Sequence, residues 1–194
     1  EIEGAELAAV CDINADRARA LASRYGVEWY SSVSEMLSRA RPDAVTVCTT
    51  TVAHFEVASE VVRAGRAALV EKPMTATLEE AVKLVKLADR ERVQLMVGFI
   101  ERFNPAVNYV KELASKGGLG RVILLKAKRV SRWPERIGDV GVVKDAAIHD
   151  IDIARFMFGE EPEAVYARAG SLKHRYEDYA DILLSFEGDR AAFV

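Results

Sequence analysis

The sequence predicts an α/β fold: an N-terminal Rossmann-type, doubly wound parallel sheet and then an α+β domain with an open, mainly antiparallel sheet. Three observations support this. Short apolar runs alternate with longer helical patterns over the first part of the chain. Strand candidates then follow one another near the C-terminus with only turns between them. Half of the 194 residues are hydrophobic, which is enough to bury a sizeable core.

The first part alternates strand and helix throughout. The predicted strands are 6–11, 27–30, 44–48, 67–70 and 93–99, and the predicted helices are 15–25, 34–40, 55–64 and a long helix that follows Thr77 to about residue 90. Gly26 and Gly65 are suitable helix stops. Thr77 and Glu80 have the spacing of a capping box, which predicts the start of the long helix.

The second part has a different pattern. We predict helices at 106–115 and near 146–158, a long strand at 121–130, and strands at 164–169, 180–186 and 191–194. Glycines follow both helices, at Gly117 and Gly159. The pattern changes near residues 101–105, so we predict two domains, 1–102 and 103–194.

Composition narrows the class of protein. The formal net charge of −3 gives no general attraction to nucleic acid or to anionic membranes. No apolar run approaches the roughly 20 residues of a membrane helix. Cys11 and Cys48 lack a CxxC partner, which favours free thiols over a disulfide or metal ligands. These features predict a cytoplasmic protein. The chain begins at Glu1 and ends in a strand-like segment, so we expect a fragment that lacks a first strand and the end of the C-terminal sheet.

Lys72 is the first candidate for chemistry. The apolar run 67–70 reads as a buried parallel strand, and Glu71, Lys72 and Pro73 follow it directly. Ligands of open α/β sheets bind beyond the carboxyl ends of the strands. Pro73 favours an extended conformation at Lys72. The alternative is an ordinary surface lysine at a strand end.

Polar residues also follow two other predicted strands. Asp12 ends the first strand, where an acid can bind the ribose hydroxyls of a dinucleotide and repel a 2′-phosphate, which favours NAD over NADP; it could equally be a helix N-cap. Thr49 and Thr50 follow the strand 44–48, where they could line the nicotinamide side of a crevice. His54 would lie at a helix N-terminus, where a structural role is the alternative.

Asp145, His149 and Asp152 form a second candidate cluster. Their spacings of four and three place them on one face of a helix. A carboxylate beside an imidazole orients it and stabilises its protonated form, which suits a general acid/base. A zinc or iron site is one alternative, although we predict no metal. A helix N-cap with a packed histidine is the other.

These motifs together resemble the glucose–fructose oxidoreductase/inositol dehydrogenase (Gfo/Idh/MocA) family. The matching segments, in order, are Asp12 after a strand, CTTTVAH, AALVEKP, GFIERFNP and DAAIHDID. The resemblance implies an NAD-dependent dehydrogenase that acts on a secondary hydroxyl of a sugar, nucleotide-sugar or cyclitol. It also implies that the C-terminal sheet forms a homodimer or homotetramer interface.

The resemblance implies roles for individual residues. Lys72, Asp145 and His149 would be catalytic; Asp12, Thr49, Thr50, His54, Glu71 and Lys72 would border the cofactor; Glu101, Arg136 and Asp152 would border the substrate. The segments GFIERFNPAV and PERIGDVGVVKDAAIHDID are most similar to a subgroup that oxidises the 3-hydroxyl of UDP-N-acetylglucosamine. Its diphosphate could meet Arg129, Arg132 and Arg136, or these could form a solvated strand end. The rival functions are an NAD-dependent glycoside hydrolase of the same superfamily and a noncatalytic NAD-binding module.

Overall fold

The structure is a computed structural model that describes residues 3–133 and 138–194. The chain forms two compact units, Glu1–Val97 and Gly98–Val194. The predicted boundary at 102/103 lies a few residues further on. The intervening residues include a 3-10 helix, Ile100–Phe103, whose Arg102 is ion-paired with Asp152 of the second unit. No helix in the described ranges is long and apolar enough to cross a bilayer.

The N-terminal unit alternates strands and helices in the predicted order. Its elements are β1 (Ala9–Cys11), α1 (Ala15–Tyr25), β2 (Glu28–Tyr30), α2 (Val33–Arg39), β3 (Ala44–Val47), α3 (Thr51–Arg63), β4 (Ala67–Val70), α4 (Leu78–Glu91) and β5 (Leu95–Val97). The bounds of α1 and β4 equal the predicted ones. By contrast, α3 begins four residues earlier than predicted.

Local sequence explains where these helices begin and end. The Asn14 side chain accepts hydrogen bonds from the first turn of α1, and Gly26 closes that helix with φ of 69° in the left-handed region. The predicted capping box of α4 is present, because Thr77 and Glu80 each bind the other's backbone N–H.

The strands of this unit form two parallel sheets, β1-β2 and β3-β4-β5. In the second sheet, residues 44–47 pair in register with 67–70. Val47, Val61, Val70 and Leu84 are fully buried in one core, and Cys11 of β1 packs against the same core. The unit therefore has the predicted parallel α/β architecture, with all its strands contributing to one interior.

The C-terminal unit has one four-stranded sheet covered by helices. Its elements are α5 (Pro105–Ser115), β6 (Leu124–Lys126), a π-helical turn (Val143–Ala147), α6 (Ile148–Phe158), β7 (Ala164–Gly170), β8 (Tyr179–Phe186) and β9 (Arg190–Phe193). The strand order is β6-β9-β8-β7, with β7-β8 and β8-β9 antiparallel and β6-β9 parallel. The core contains Ala154 of α6 with Ile182, Leu184 and Phe186 of β8.

Two expectations for this unit need correction. The predicted long strand at 121–130 is wrong in length: only Leu124–Lys126 pairs with a neighbour, because its partner β9 is itself short. The predicted helix near 146–158 is confirmed as α6, but the helical conformation begins at Val143 in a π-helical turn. The widened turn carries Asp145, and π-helical segments are frequent at functional sites.

Candidate active site

The carboxyl ends of β3 and β4 carry the candidate residues of the N-terminal unit. Val47 and Val70 are paired in register, and the Glu71 N–H donates to the Val47 carbonyl at 2.9 Å. The residues after the two strands therefore emerge side by side at one edge of the parallel sheet. Thr49 and Thr50 are exposed there, and Lys72 is half-buried.

His54 connects these two strand ends. Its ring is 1% exposed; Nδ1 lies 2.8 Å from the Pro73 carbonyl oxygen, and Nε2 lies 3.1 Å from the Thr49 carbonyl oxygen. Both nitrogens face acceptors, so the ring holds the segment after β3 against the segment after β4. The geometry indicates that His54 orders the loop beside Lys72, and direct cofactor contact by His54 stays a prediction.

Glu71 and Lys72 lie at the end of β4 itself. The Lys72 N–H donates to Glu71 Oε2 at 3.2 Å, and the Lys72–Pro73 peptide bond is cis. Burial, and secondarily the negative charge of Glu71, raise the pKa of the Cys48 thiol above its ordinary value. The Glu71 carboxylate thus lies close to the end of β3, as expected for a residue that borders this edge.

Asp12 follows β1, as predicted. Its N–H donates to the Tyr30 carbonyl at 3.2 Å, and its Oδ1 accepts from the Asn14 N–H at 2.8 Å. Asn14, and not Asp12, is the N-cap of α1. Among the described residues, Asp12 Oδ2 has no hydrogen-bond partner, so this half-buried carboxylate can accept further donors.

The C-terminal unit carries its own candidate residues. The π-helical turn carries Asp145, whose N–H donates to the Gly141 carbonyl at 3.0 Å, and the first turn of α6 carries His149. Both side chains are half-buried. A separation of four residues across these helical turns keeps the carboxylate and the imidazole on the same side, as the predicted acid/base pair requires.

A hydrogen-bonded ion cluster lies next to His149. Arg129 donates from Nε to Asp150 Oδ2 at 2.7 Å and from Nη2 to Glu101 Oε1 at 3.2 Å. Asn104 donates to the other Glu101 oxygen at 3.0 Å. The Asn104 hydrogen bond, followed by Arg129 and the positive charge of His149, holds the pKa of Glu101 below its ordinary value. Glu101 and His149 therefore interact electrostatically.

Asp152 is enclosed in a second ion pair. Both its oxygens accept from Arg102, at 2.6 and 2.7 Å, and its side chain is 3% exposed. This bidentate contact raises the pKa of Arg102 above its ordinary value. With both oxygens occupied, the geometry favours a structural role for Asp152, and its assignment to the substrate stays a prediction.

The remaining candidates differ in how far the structure describes them. Arg136 lies outside the described residues. Arg129, one of the arginines considered for a diphosphate, is engaged with Glu101 and Asp150, whereas Arg132 is exposed. Within residues 3–133 and 138–194, no group of three or more His, Cys, Asp or Glu side chains is arranged to hold a metal ion.

Sequence reasoning considered Arg129 for a diphosphate but did not predict the ion pairs that Arg102 and Arg129 make in this unit. Arg102 and Arg129 bind acids that lie 50 and 21 residues away in the chain. A signal was available, because Asp150 and Asp152 lie on a helix that must bury part of its surface, and a buried carboxylate needs a charged partner. The position of that partner is not readable from local spacing.

Comparison with known proteins agrees with these features. Residues 1–99 match the model of the oxidoreductase family with an NAD-binding Rossmann fold (GFO/IDH/MocA), and residues 107–194 match the GFO/IDH/MocA C-terminal domain. The chain is 36% identical over 162 residues to UDP-N-acetylglucosamine 3-dehydrogenase of Acidithiobacillus ferrooxidans, covering 84% of this chain and 50% of that protein.

Two further relatives span more of the chain. Inositol 2-dehydrogenase of Rhizobium meliloti is 33% identical over 200 residues, which cover 96% of this chain and 60% of that protein. The crystal structure of the WlbA dehydrogenase from Bordetella pertussis in complex with NADH and UDP-GlcNAcA superimposes with a TM-score of 0.84 at 28% identity, covering 97% of this chain and 58% of that one.

The chain thus spans about half to three fifths of the length of these relatives. Family models match nearly all of it, one in each of the two units that the contacts define. The strand-end lysine and the Asp-x-x-x-His pair lie one in each matched domain. On this evidence the chain belongs to the GFO/IDH/MocA oxidoreductase family.

Proposed function

We propose that this chain carries the active site of an NAD-dependent dehydrogenase that oxidises a secondary hydroxyl of a sugar, nucleotide-sugar or cyclitol. The observation that carries the proposal is the position of Lys72. It is half-buried directly beyond a strand of a parallel sheet, beside a loop that buried His54 holds in place. Lysines at such strand ends lie where ligands of open α/β sheets bind.

The residues present fit the adenosine and nicotinamide ends of NAD. Asp12 has a carboxylate oxygen with no hydrogen-bond partner among the described residues, suited to ribose hydroxyls and unfavourable to a 2′-phosphate. Thr49 and Thr50 present exposed hydroxyl and backbone groups after β3. This donor set supports NAD over NADP.

The chain's own groups supply proton transfer and charge stabilisation. NAD, when bound, accepts a hydride from the carbon that bears the hydroxyl. In this proposal His149 removes the hydroxyl proton, and Asp145 orients the imidazole and stabilises its protonated form. Lys72 donates a hydrogen bond to the same oxygen and stabilises the negative charge that develops there.

The substrates named for the relatives narrow the range of candidate substrates for this chain. One acts on UDP-N-acetylglucosamine and another on inositol, so we propose a nucleotide-sugar or cyclitol and place UDP-N-acetylglucosamine, oxidised at the 3-hydroxyl, as the leading candidate. Glu101, Arg136 and Asp152 remain the proposed substrate-side residues. No observation favours the glycoside hydrolase or the noncatalytic module over the dehydrogenase.

We also propose a cytoplasmic homodimer or homotetramer that associates through the C-terminal sheet. Tyr166 of β7 is 74% exposed, and Leu124 of β6 and Phe193 of β9 are also exposed. The strand pairing places these three side chains on one face of the sheet. Large apolar side chains on one face support association, because contiguous apolar surface is costly in water.

Enzyme assays on two substitutions test the function. We expect Lys72→Ala and His149→Ala to reduce turnover about 10²- to 10⁴-fold while NAD still binds, because each removes a group that acts on the reacting oxygen. NADH absorbance is measured with UDP-N-acetylglucosamine and with myo-inositol, and NAD affinity by calorimetry. Lys83→Ala and His174→Ala, at exposed positions, are the matched controls.

Two results would overturn the proposal. Release of free sugar without net NADH would indicate the glycoside hydrolase. Normal turnover in Lys72→Ala or His149→Ala would remove these residues from the mechanism.

A further inference from the structure

We propose that Arg129 is a positioning residue for His149, which it holds by binding Glu101 of the 3-10 helix and Asp150 of α6 with one guanidinium group. The inference rests on the proposed function, since it gives His149 its acid/base role. All the residues concerned lie in the C-terminal unit.

Arg129 connects two carboxylates that lie in different segments of the chain. Its Nε contacts Asp150 at 2.7 Å and its Nη2 contacts Glu101 at 3.2 Å, so two nitrogens of the same planar group bind two different carboxylates. Arg129 itself lies in the chain segment after β6. Three separate segments therefore meet at this guanidinium, and a lysine could not reproduce both bonds with the same planar geometry.

Burial makes this connection specific. The Asp150 side chain is 7% exposed, and Arg129 donates the only side-chain hydrogen bond that it receives from the described residues. A carboxylate removed from water is stable only when it is paired. Asn104 in turn binds the second oxygen of Glu101, so both oxygens of this carboxylate are held by hydrogen bonds.

His149 immediately precedes Asp150 in the first turn of α6, so a displaced Asp150 moves the imidazole with it. The charged groups around this turn are Glu101 and Arg102 on the 3-10 helix, Lys144 and Asp145 on the π-helical turn, Arg129 after β6, and Asp150 on α6. Arg129 bonds both to the 3-10 helix and to α6.

If Arg129 had only a structural role, its substitutions would lower the free energy of unfolding without lowering kcat in the folded protein. The test therefore uses Arg129→Lys, which keeps the charge and loses the planar fork, Arg129→Met, which loses both, and Glu101→Gln. Arg190→Met is the matched control, because Arg190 pairs with Glu160 at 2.5 Å at similar burial in the same unit.

The chain has only three histidines, so the ring signals can be assigned by substituting each in turn and followed against pH by NMR. We expect Glu101→Gln to move the midpoint for His149 to lower pH, because a negative charge is removed. Arg129→Met should move it to higher pH, because a positive charge is removed. Arg129→Lys should leave it near the wild-type position.

Turnover measurements distinguish a displaced imidazole from a change in charge beside it. We expect kcat to fall roughly 10- to 100-fold in Arg129→Met and less in Arg129→Lys, with KM changed little, because a misplaced base slows the chemical step. Arg190→Met should leave both constants and all three titrations unchanged. Thermal melting confirms that each variant is folded.

An unchanged His149 titration in both Arg129→Met and Glu101→Gln would overturn the inference, as would an Arg129→Met variant with wild-type kcat. If the unmodified protein oxidises none of the tested sugars, the proposed function fails by itself, and the titrations still report on the positioning of His149.

Discussion

The two units hold their candidate functional groups in different ways. In the N-terminal unit the imidazole of His54 joins two strand ends through backbone carbonyl oxygens. In the C-terminal unit the corresponding work is done by pairs of charged side chains, Arg102 with Asp152 and Arg129 with Asp150. The first arrangement depends on main-chain conformation, and the second on charge.

This difference predicts the kind of substitution to which each unit is most sensitive. Backbone carbonyls do not titrate, so the surroundings of Lys72 should tolerate changes in charge and be sensitive to changes in side-chain shape. A buried ion pair loses its stability when either partner is neutralised. Charge-removing substitutions should therefore affect the C-terminal unit most.

Asp152→Asn is expected to have the largest effect on stability. It leaves the guanidinium of Arg102, which is 38% exposed, without its bidentate partner, and we expect the free energy of unfolding to fall by about 3 kcal/mol. Urea denaturation followed through Trp133, in a Trp29→Phe background, reports on this unit.

Glu112→Gln is the control in the same unit, because its side chain is 61% exposed in its pair with Lys116 and should change stability by less than about 0.5 kcal/mol. Equal effects from Asp152→Asn and Glu112→Gln would contradict the prediction that the buried ion pair stabilises this unit.

His54→Leu is expected to have the next largest effect, and in the N-terminal unit. It keeps an apolar side chain in the space but removes the ring N–H, so at least one of the Thr49 and Pro73 carbonyls loses its donor, at a cost of about 2 kcal/mol. The free energy of unfolding of this unit is measured by Trp29 fluorescence in a Trp133→Phe background. A stability equal to wild type would show that the ring only fills space; His174→Leu, in an exposed loop, is the control.

Lowering the pH should have the smallest of these effects on stability, and this effect also arises in the C-terminal unit. The pKa of Glu101 is lowered on folding, so its contribution is present above its ordinary value and is lost as pH falls through the lower folded value. We expect melting temperatures measured between neutral pH and mild acid to fall less steeply in Glu101→Gln. Parallel curves for Glu101→Gln and wild type would contradict this assignment.

Local signals predicted much of the fold. Alternating apolar runs and helices gave the element order of the N-terminal unit, and capping chemistry at Thr77 and Glu80 located the start of α4. The length of β6 could not be predicted, since a run of branched residues forms a strand only where a neighbour supplies hydrogen bonds. The π-helical turn at Val143–Ala147 has no known local signature in this sequence.

The positions of the candidate residues were predictable from the sequence, but the residues that hold them in place were not. Lys72 follows its strand and Asp145 and His149 follow helical spacing, because both patterns are local. The partners Arg102 and Arg129 are set by tertiary packing over long separations, which one sequence does not reveal. Sequence therefore indicated the candidate groups better than it indicated the residues that hold them in place.

The pairing of β6 with β9 also bears on the order of assembly. Leu124 pairs with Ala191, 67 residues later, whereas Ala44 of β3 pairs with Ala67 of β4, 23 residues later. Contacts between distant residues form slowly, because a long loop must close first. During synthesis on a ribosome the β3-β4 pair can form early, whereas β6 stays unpaired until β9 has emerged.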